Sequence, residues 1–130
     1  MSTSKKIEDL ISYSRILYER KLLHATGGNT SVRDGDTVWI SQTGAELGSL
    51  TKAEVVKVDL HGTVLEGEAP SKEMGMHLAM YRARPDAGAV IHAHPTFAIT
   101  LSSLIKEASR DAIRPYTAAF YVRAGRVPMI

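Results

Sequence analysis

The sequence predicts an α/β fold, a three-layer α/β/α sandwich with a mixed, mostly antiparallel central sheet. Three observations lead there. Strand-like runs meet at Asp34-Gly35, and another pair meets at His61-Gly62, so the chain holds two antiparallel hairpins. Helical patterns stand before the first hairpin and after the second. A sheet flanked in sequence by helices at both ends has them available to cover its faces.

Residues 5 to 23 read as an amphipathic helix, because Ile7, Leu10, Ile11, Leu17, Tyr18 and Leu22 return to one face. This helix is scaffold, and His24 just after it is expected to interact with its last carbonyls. The next stretch, Ala25-Thr26-Gly27-Gly28-Asn29-Thr30-Ser31, has paired glycines that permit positive φ and let an anion approach main-chain N–H groups. Glycine pairs also serve ordinary turns. Thr30 to Arg33 and Thr37 to Ser41 are the first two strands, with Trp39 in the core. Gln42-Thr43-Gly44 is a turn that adds a glycine and a hydroxyl, and Thr51 with Glu54 forms a capping box on a short helix. Val55 to Asp59 and Thr63 to Glu66 form the second hairpin, leaving His61 exposed in its turn.

The chemistry concentrates between Ala69 and Pro95. Pro70 ends a loop, Ser71 is a good N-cap, and Met74, His77, Leu78 and Tyr81 then recur at helical spacing. Glu73 is thus expected in a helix's first turn, where the macrodipole favours its carboxylate form. Ala87 to Ile91 reads as a strand stopped by Pro95, with His92 and His94 at its end facing one way. Two adjacent imidazoles suit a first-row divalent cation, zinc above all. A carboxylate, two histidines and an anion-friendly helix start point to metal-assisted chemistry on an anionic substrate. His77, one turn after Glu73, reads as a packing or orienting residue rather than a ligand. Thr96 to Ile105 is a further helix expected to cover one sheet face. Tyr116 to Val122 reads as a strand, Ala124-Gly125-Arg126 as a turn, and Val127 to Ile130 as another extended piece.

Composition narrows the partners. With 130 residues, 44% hydrophobic and 23% charged, the chain reads as one ordinary globular domain. A net charge of +2 without a basic run gives no case for nucleic acid, although the isoelectric point is near 9.0. No apolar stretch is long enough to span a bilayer, and the first twenty residues lack a signal peptide's apolar core. Cytoplasm is the default location. Because the chain has no cysteine, only histidines and carboxylates are available as metal ligands.

The order Gly-Gly-Asn-Thr-Ser at 27–31, Thr43-Gly44, Pro70-Ser71-Lys72-Glu73 opening a helix, then His92-Ala93-His94 resembles the class II aldolase and adducin-head family over essentially the whole chain. The resemblance implies the same sandwich and a homo-oligomer, usually a tetramer with sites at subunit boundaries. It implies that His92 and His94 are two of three zinc-binding histidines and that Glu73 is the catalytic acid/base. Gly28, Asn29, Thr43, Gly44 and Ser71 would form the substrate-phosphate pocket.

Lys72, also expected to bind substrate, departs from the serine common in the aldolases; its cation would aid a phosphate or a carboxylate and leans toward the 3-oxo-tetronate 4-phosphate decarboxylase branch, as does the tail from Tyr116 to Pro128. Ala118 and Ala119 stand where the epimerases carry an acidic residue, and Tyr116 is similar to an aldolase tyrosine that reaches a neighbouring subunit. The family's third zinc histidine lies beyond residue 130, so residues 1–130 are expected to lack the domain's C-terminal part. The activity implied is metal-dependent C–C bond cleavage of a phosphorylated sugar acid such as a 3-oxo-tetronate 4-phosphate. The alternatives are a class II sugar-phosphate aldolase and a non-catalytic module like the adducin head.

Overall fold

Helix α1, Thr3–Glu19, opens the computed structural model, which describes residues 2–104 and residue 127. Ser2 caps the helix by accepting the Lys5 N–H at 3.3 Å. The helix stops earlier than its apolar spacing predicts, because Lys21 adopts φ 59° and turns the chain away. Leu22, expected on the buried face, is therefore 37% exposed, and Leu23 takes the interior position. The last carbonyls of α1 are met by the backbone N–H groups of Arg20, Lys21 and Leu22. His24 lies beyond them and is not the capping residue expected from the sequence.

The sheet is a four-strand meander extended at one edge. Strands β1 (Asn29–Asp34), β2 (Thr37–Ser41), β3 (Val55–Asp59) and β4 (Val64–Glu66) pair in succession, with the Thr51–Glu54 capping box on a 3₁₀ turn before β3. Helix α2, Met74–Ala83, then carries the chain back across the sheet to β5, Ala89–His92. β5 joins the free edge of β1, giving the order β4-β3-β2-β1-β5. Every pairing among the described residues is antiparallel.

Strand alternation sends side chains to two helices. Trp39 packs with Ile7, Leu10 and Leu23 on the α1 side. Val38, Ile40, Val56 and Val58 pack with Leu78 and Tyr81 of α2 on the other. That is a three-layer α/β/α arrangement. Leu78 and Tyr81 are almost completely removed from water. Each such burial is worth about 2 to 3 kcal/mol, enough to fix which face of α2 looks inward.

A second compact unit begins at Thr96. Helix α3 runs Thr96–Leu104, with Ser102 and Ser103 hydroxyls donating back to the Ile99 carbonyl. The strand expected at 116–122, the turn at 124–126 and the readings of Tyr116, Ala118 and Ala119 lie outside the described residues.

Candidate active site

Three loops meet at one end of the sheet. The β2 end is tied to the α2 approach by Ser71 N–H donating to Ser41 O at 3.1 Å and Thr43 N–H donating to Ala69 O at 3.0 Å. The register of β1 on β5 sets Asn29 directly opposite His92. A cavity of about 280 Å³ results. Gly28 and Asn29 line it from the first loop, Thr43 and Gly44 from the second, and Ser71, Lys72 and Glu73 from the third, with His94 at its side. Thr26, Gly27 and Gln42, neighbours of these residues in the same two loops, line it too. His92 is not in the wall but bonds to Glu73.

Gly28 explains how the first loop reaches the site. At φ 86° it occupies the left-handed region, and a Cβ there would stand 2.6 Å from Leu23 Cδ2 and 2.7 Å from the His92 carbonyl oxygen. Only a glycine lets the loop lie so close to the strand that carries His92.

Helix α2 begins at Met74, later than Ser71 predicts, with Glu73 as the N-cap residue. Residues 71 to 74 form a turn in which Met74 N–H reaches Ser71 O, and Ser71 Oγ accepts from the Glu73 N–H at 3.3 Å. The Glu73 side chain makes no capping bond and is directed elsewhere. Its Oε2 accepts from Asn29 Nδ2 at 2.5 Å and from His92 Nδ1. The Asn29 amide, then the His92 bond and the nearby imidazoles, hold the carboxyl below the ordinary carboxylate range against the opposing effect of partial burial. Glu73 is therefore ionised at neutral pH.

His94 follows the end of β5, so it is not placed by strand alternation as expected from the sequence. Its ring centroid is nonetheless 4.6 Å from that of His92. With Nδ1 of His92 donating to Glu73, Nε2 is the nitrogen left to take a cation. These two imidazoles fit as two ligands of a divalent metal. Among the described residues no three His, Asp or Glu side chains form a complete metal cluster.

Behind the site, His77 is fully buried and hydrogen-bonded at both nitrogens, Nε2 to Asn29 Oδ1 at 2.5 Å and Nδ1 to Ser31 Oγ at 2.7 Å. Burial pushes its pKa down to about 4, so the ring is neutral. Ser31 Oγ also meets the Tyr81 hydroxyl at 2.8 Å. Ser31 was read from sequence as part of the anion-accepting loop rather than as a partner of His77, and Tyr81 only as a helix-face residue. The signal available was the spacing 73, 77, 81, which stacks three polar groups along one helix face.

The family described as Class II Aldolase and Adducin N-terminal domain matches residues 8–130. The chain belongs to this class II aldolase family. It is 36% identical over 124 residues to the 3-oxo-tetronate 4-phosphate decarboxylase of Haemophilus influenzae, covering 95% of this chain and 59% of that protein. It is 38% identical over 101 residues to the L-fuculose phosphate aldolase of Methanococcus maripaludis, covering 78% and 56%. Among solved structures, YgbL of Escherichia coli superimposes with a TM-score of 0.89 at 33% identity, over 95% of this chain and 60% of that one. The L-fuculose-1-phosphate aldolase of Thermus thermophilus does so with 0.80 at 29%, over 98% and 63%. The class II aldolase fold expected from the sequence is thus the observed one. The chain spans a little over half the length of the curated relatives it matches.

Proposed function

We propose that this chain carries the substrate-binding and proton-transfer residues of a metal-dependent lyase that cleaves a C–C bond in a phosphorylated sugar acid such as a 3-oxo-tetronate 4-phosphate. The observation that carries this reading is the convergence of an ionised Glu73, the His92–His94 pair and three polar loops on one cavity.

The loops take the anionic end of the substrate. Among the residues lining the cavity, Gly44 and Lys72 have backbone N–H groups without a partner among the described residues, and Ser71 and Thr43 contribute hydroxyls. Lys72 is exposed at the same rim and supplies a cation for a phosphate or a carboxylate. Anchoring that end lets its binding energy position the reacting carbons near Glu73. In decarboxylation the bond to the carboxylate carbon breaks, carbon dioxide leaves, and the electron pair stays behind as an enediolate. The carbon that loses carbon dioxide takes up one proton, drawn from solvent water and delivered through Glu73. A divalent cation, zinc first, would be held by Nε2 of His92 and by His94, and when bound it supplies positive charge to stabilise the enediolate.

The decarboxylase relative aligns over 95% of this chain and the Methanococcus maripaludis aldolase over 78%, which favours decarboxylation. The second reading, retro-aldol cleavage of a sugar phosphate, is supported by the 38% identity to the aldolase and would use the same Glu73. We take the active form to be a cytoplasmic homo-oligomer. The test is product analysis with zinc or manganese present, offering a 3-oxo-tetronate 4-phosphate and L-fuculose 1-phosphate side by side. Carbon dioxide release that depends on Glu73 supports the first reading, and aldehyde release from the second substrate alone replaces it. No turnover of either substrate by the oligomer, with metal shown to be bound, overturns both.

A further inference from the structure

We infer that His77 is a positioning residue whose neutral, Nε2-protonated imidazole locks the Asn29 side-chain amide in the orientation that directs Nδ2–H at Glu73. The inference rests on the proposed role of Glu73 only for its catalytic consequence. The wiring itself is a property of the resting protein.

The two ends of an asparagine amide are nearly identical in shape, so hydrogen-bond partners decide which way it points. An ionised Glu73 only accepts, so Nδ2 must face it. Oδ1 then faces His77 and also only accepts, which requires the proton on Nε2. Nδ1 of the neutral ring is left as an acceptor, and Ser31 Oγ donates to it, receiving in turn the Tyr81 hydroxyl. Polarity therefore runs one way, from Tyr81 through Ser31, His77 and Asn29 to the carboxylate.

One competing state keeps the ring's own bonds and fails only at the carboxylate. With the proton on Nδ1, Nε2 would accept from a flipped Asn29, whose Oδ1 would then face the Glu73 carboxylate, acceptor against acceptor. Ring tautomer and amide orientation are thus coupled, and the state seen is the one in which Glu73 keeps its bond. Tyr81, Ser31, His77 and Asn29 are all at most 6% exposed, so the bonds among these four are shielded from water, while the Glu73 end opens on the cavity. A ring that merely filled space would carry no such directionality.

The experiment is nitrogen-15 NMR of the full 130-residue chain, reading the His77 ring tautomer by long-range proton–nitrogen correlation together with the two Asn29 Nδ2 protons. The expected result is an Nε2-protonated neutral ring and a wide splitting between the Asn29 protons, one of them held by Glu73. His77→Gln should preserve that splitting, because its amide can donate to Asn29 and its carbonyl can accept from Ser31. His77→Phe, which fills the space but bonds to neither, should lose it. An Nδ1-protonated or charged ring at neutral pH, or an unchanged Asn29 splitting in a folded His77→Phe variant, would overturn the inference. If His77→Phe does not fold, the wild-type tautomer decides alone. These signals do not depend on turnover, so failure here is distinct from failure of the lyase assay.

Discussion

Glu73 is bonded from two sides, by an amide on β1 and an imidazole on β5, and both contacts favour its charged form. Replacing it with glutamine keeps the size and removes the charge. Turnover in an active form of the enzyme should fall by about two to four decades, with metal affinity largely intact. Full activity in that variant would remove Glu73 from the mechanism. His77 allows a second test, through stability. Its pKa is lowered from the ordinary 6.5 to about 4 in the folded chain, so between those values the unfolded chain binds the extra proton. Stability should therefore rise with pH across that window, and acidification through it should remove up to about 3 kcal/mol. Urea titrations between about pH 7 and pH 4.5 should show this loss, and His77→Gln should flatten it. A flat wild-type profile would mean that His77 is not held neutral. The residue types at 73, 92 and 94 were legible in the sequence as a group. The bond from Asn29 to His77 was not, because it joins a strand and a helix 48 positions apart and depends on where the sheet sets its edge strand.

Elements reach the site through their ends. β1 and β5 present Asn29 and His92 because the register pairs them, and Gly28 lets the preceding loop close over the His92 carbonyl. Gly28→Ala should cost at least about 2 kcal/mol, combining left-handed strain with two contacts that a Cβ cannot make without displacing Leu23 or the strand. Denaturant midpoints would read the loss, and amide shifts at His92 and Ala93 would show the strand moving. A neutral substitution would mean that the loop relaxes freely and is not what sets His92. Both hairpins were legible from their turn residues, as was α2 from the spacing of His77, Leu78 and Tyr81. The start of α2 was not, because Ser71 caps a turn that precedes the helix and leaves Glu73 at the boundary with its side chain free to face Asn29. The end of α1 was hidden for a similar reason. Apolar spacing continues to Leu22, but a left-handed Lys21 breaks the helix, and no residue type announced that conformation.

At the scale of the molecule, the deciding quantity is the number of histidines that can reach one point. The chain has five. His77 is buried with both nitrogens engaged, and His61 is exposed in the β3–β4 turn at the opposite edge of the sheet from β5. His24 joins no metal cluster among the described residues. His92 and His94 remain, with Glu73 already bonded to Asn29 and His92. Two imidazoles and a shared carboxylate fall short of the four-coordinate set that holds zinc tightly. These 130 residues should therefore retain well below one equivalent of zinc after dialysis, and titration calorimetry should show weak binding that His92→Ala removes. One equivalent surviving chelator-free purification, and lost with His92→Ala, would show that the pair and Glu73 suffice. The same measurement on a form that supplies a further histidine should give tight binding. If it does not, the pairing of His92 with Glu73 is a structural bond rather than the poised half of a metal site.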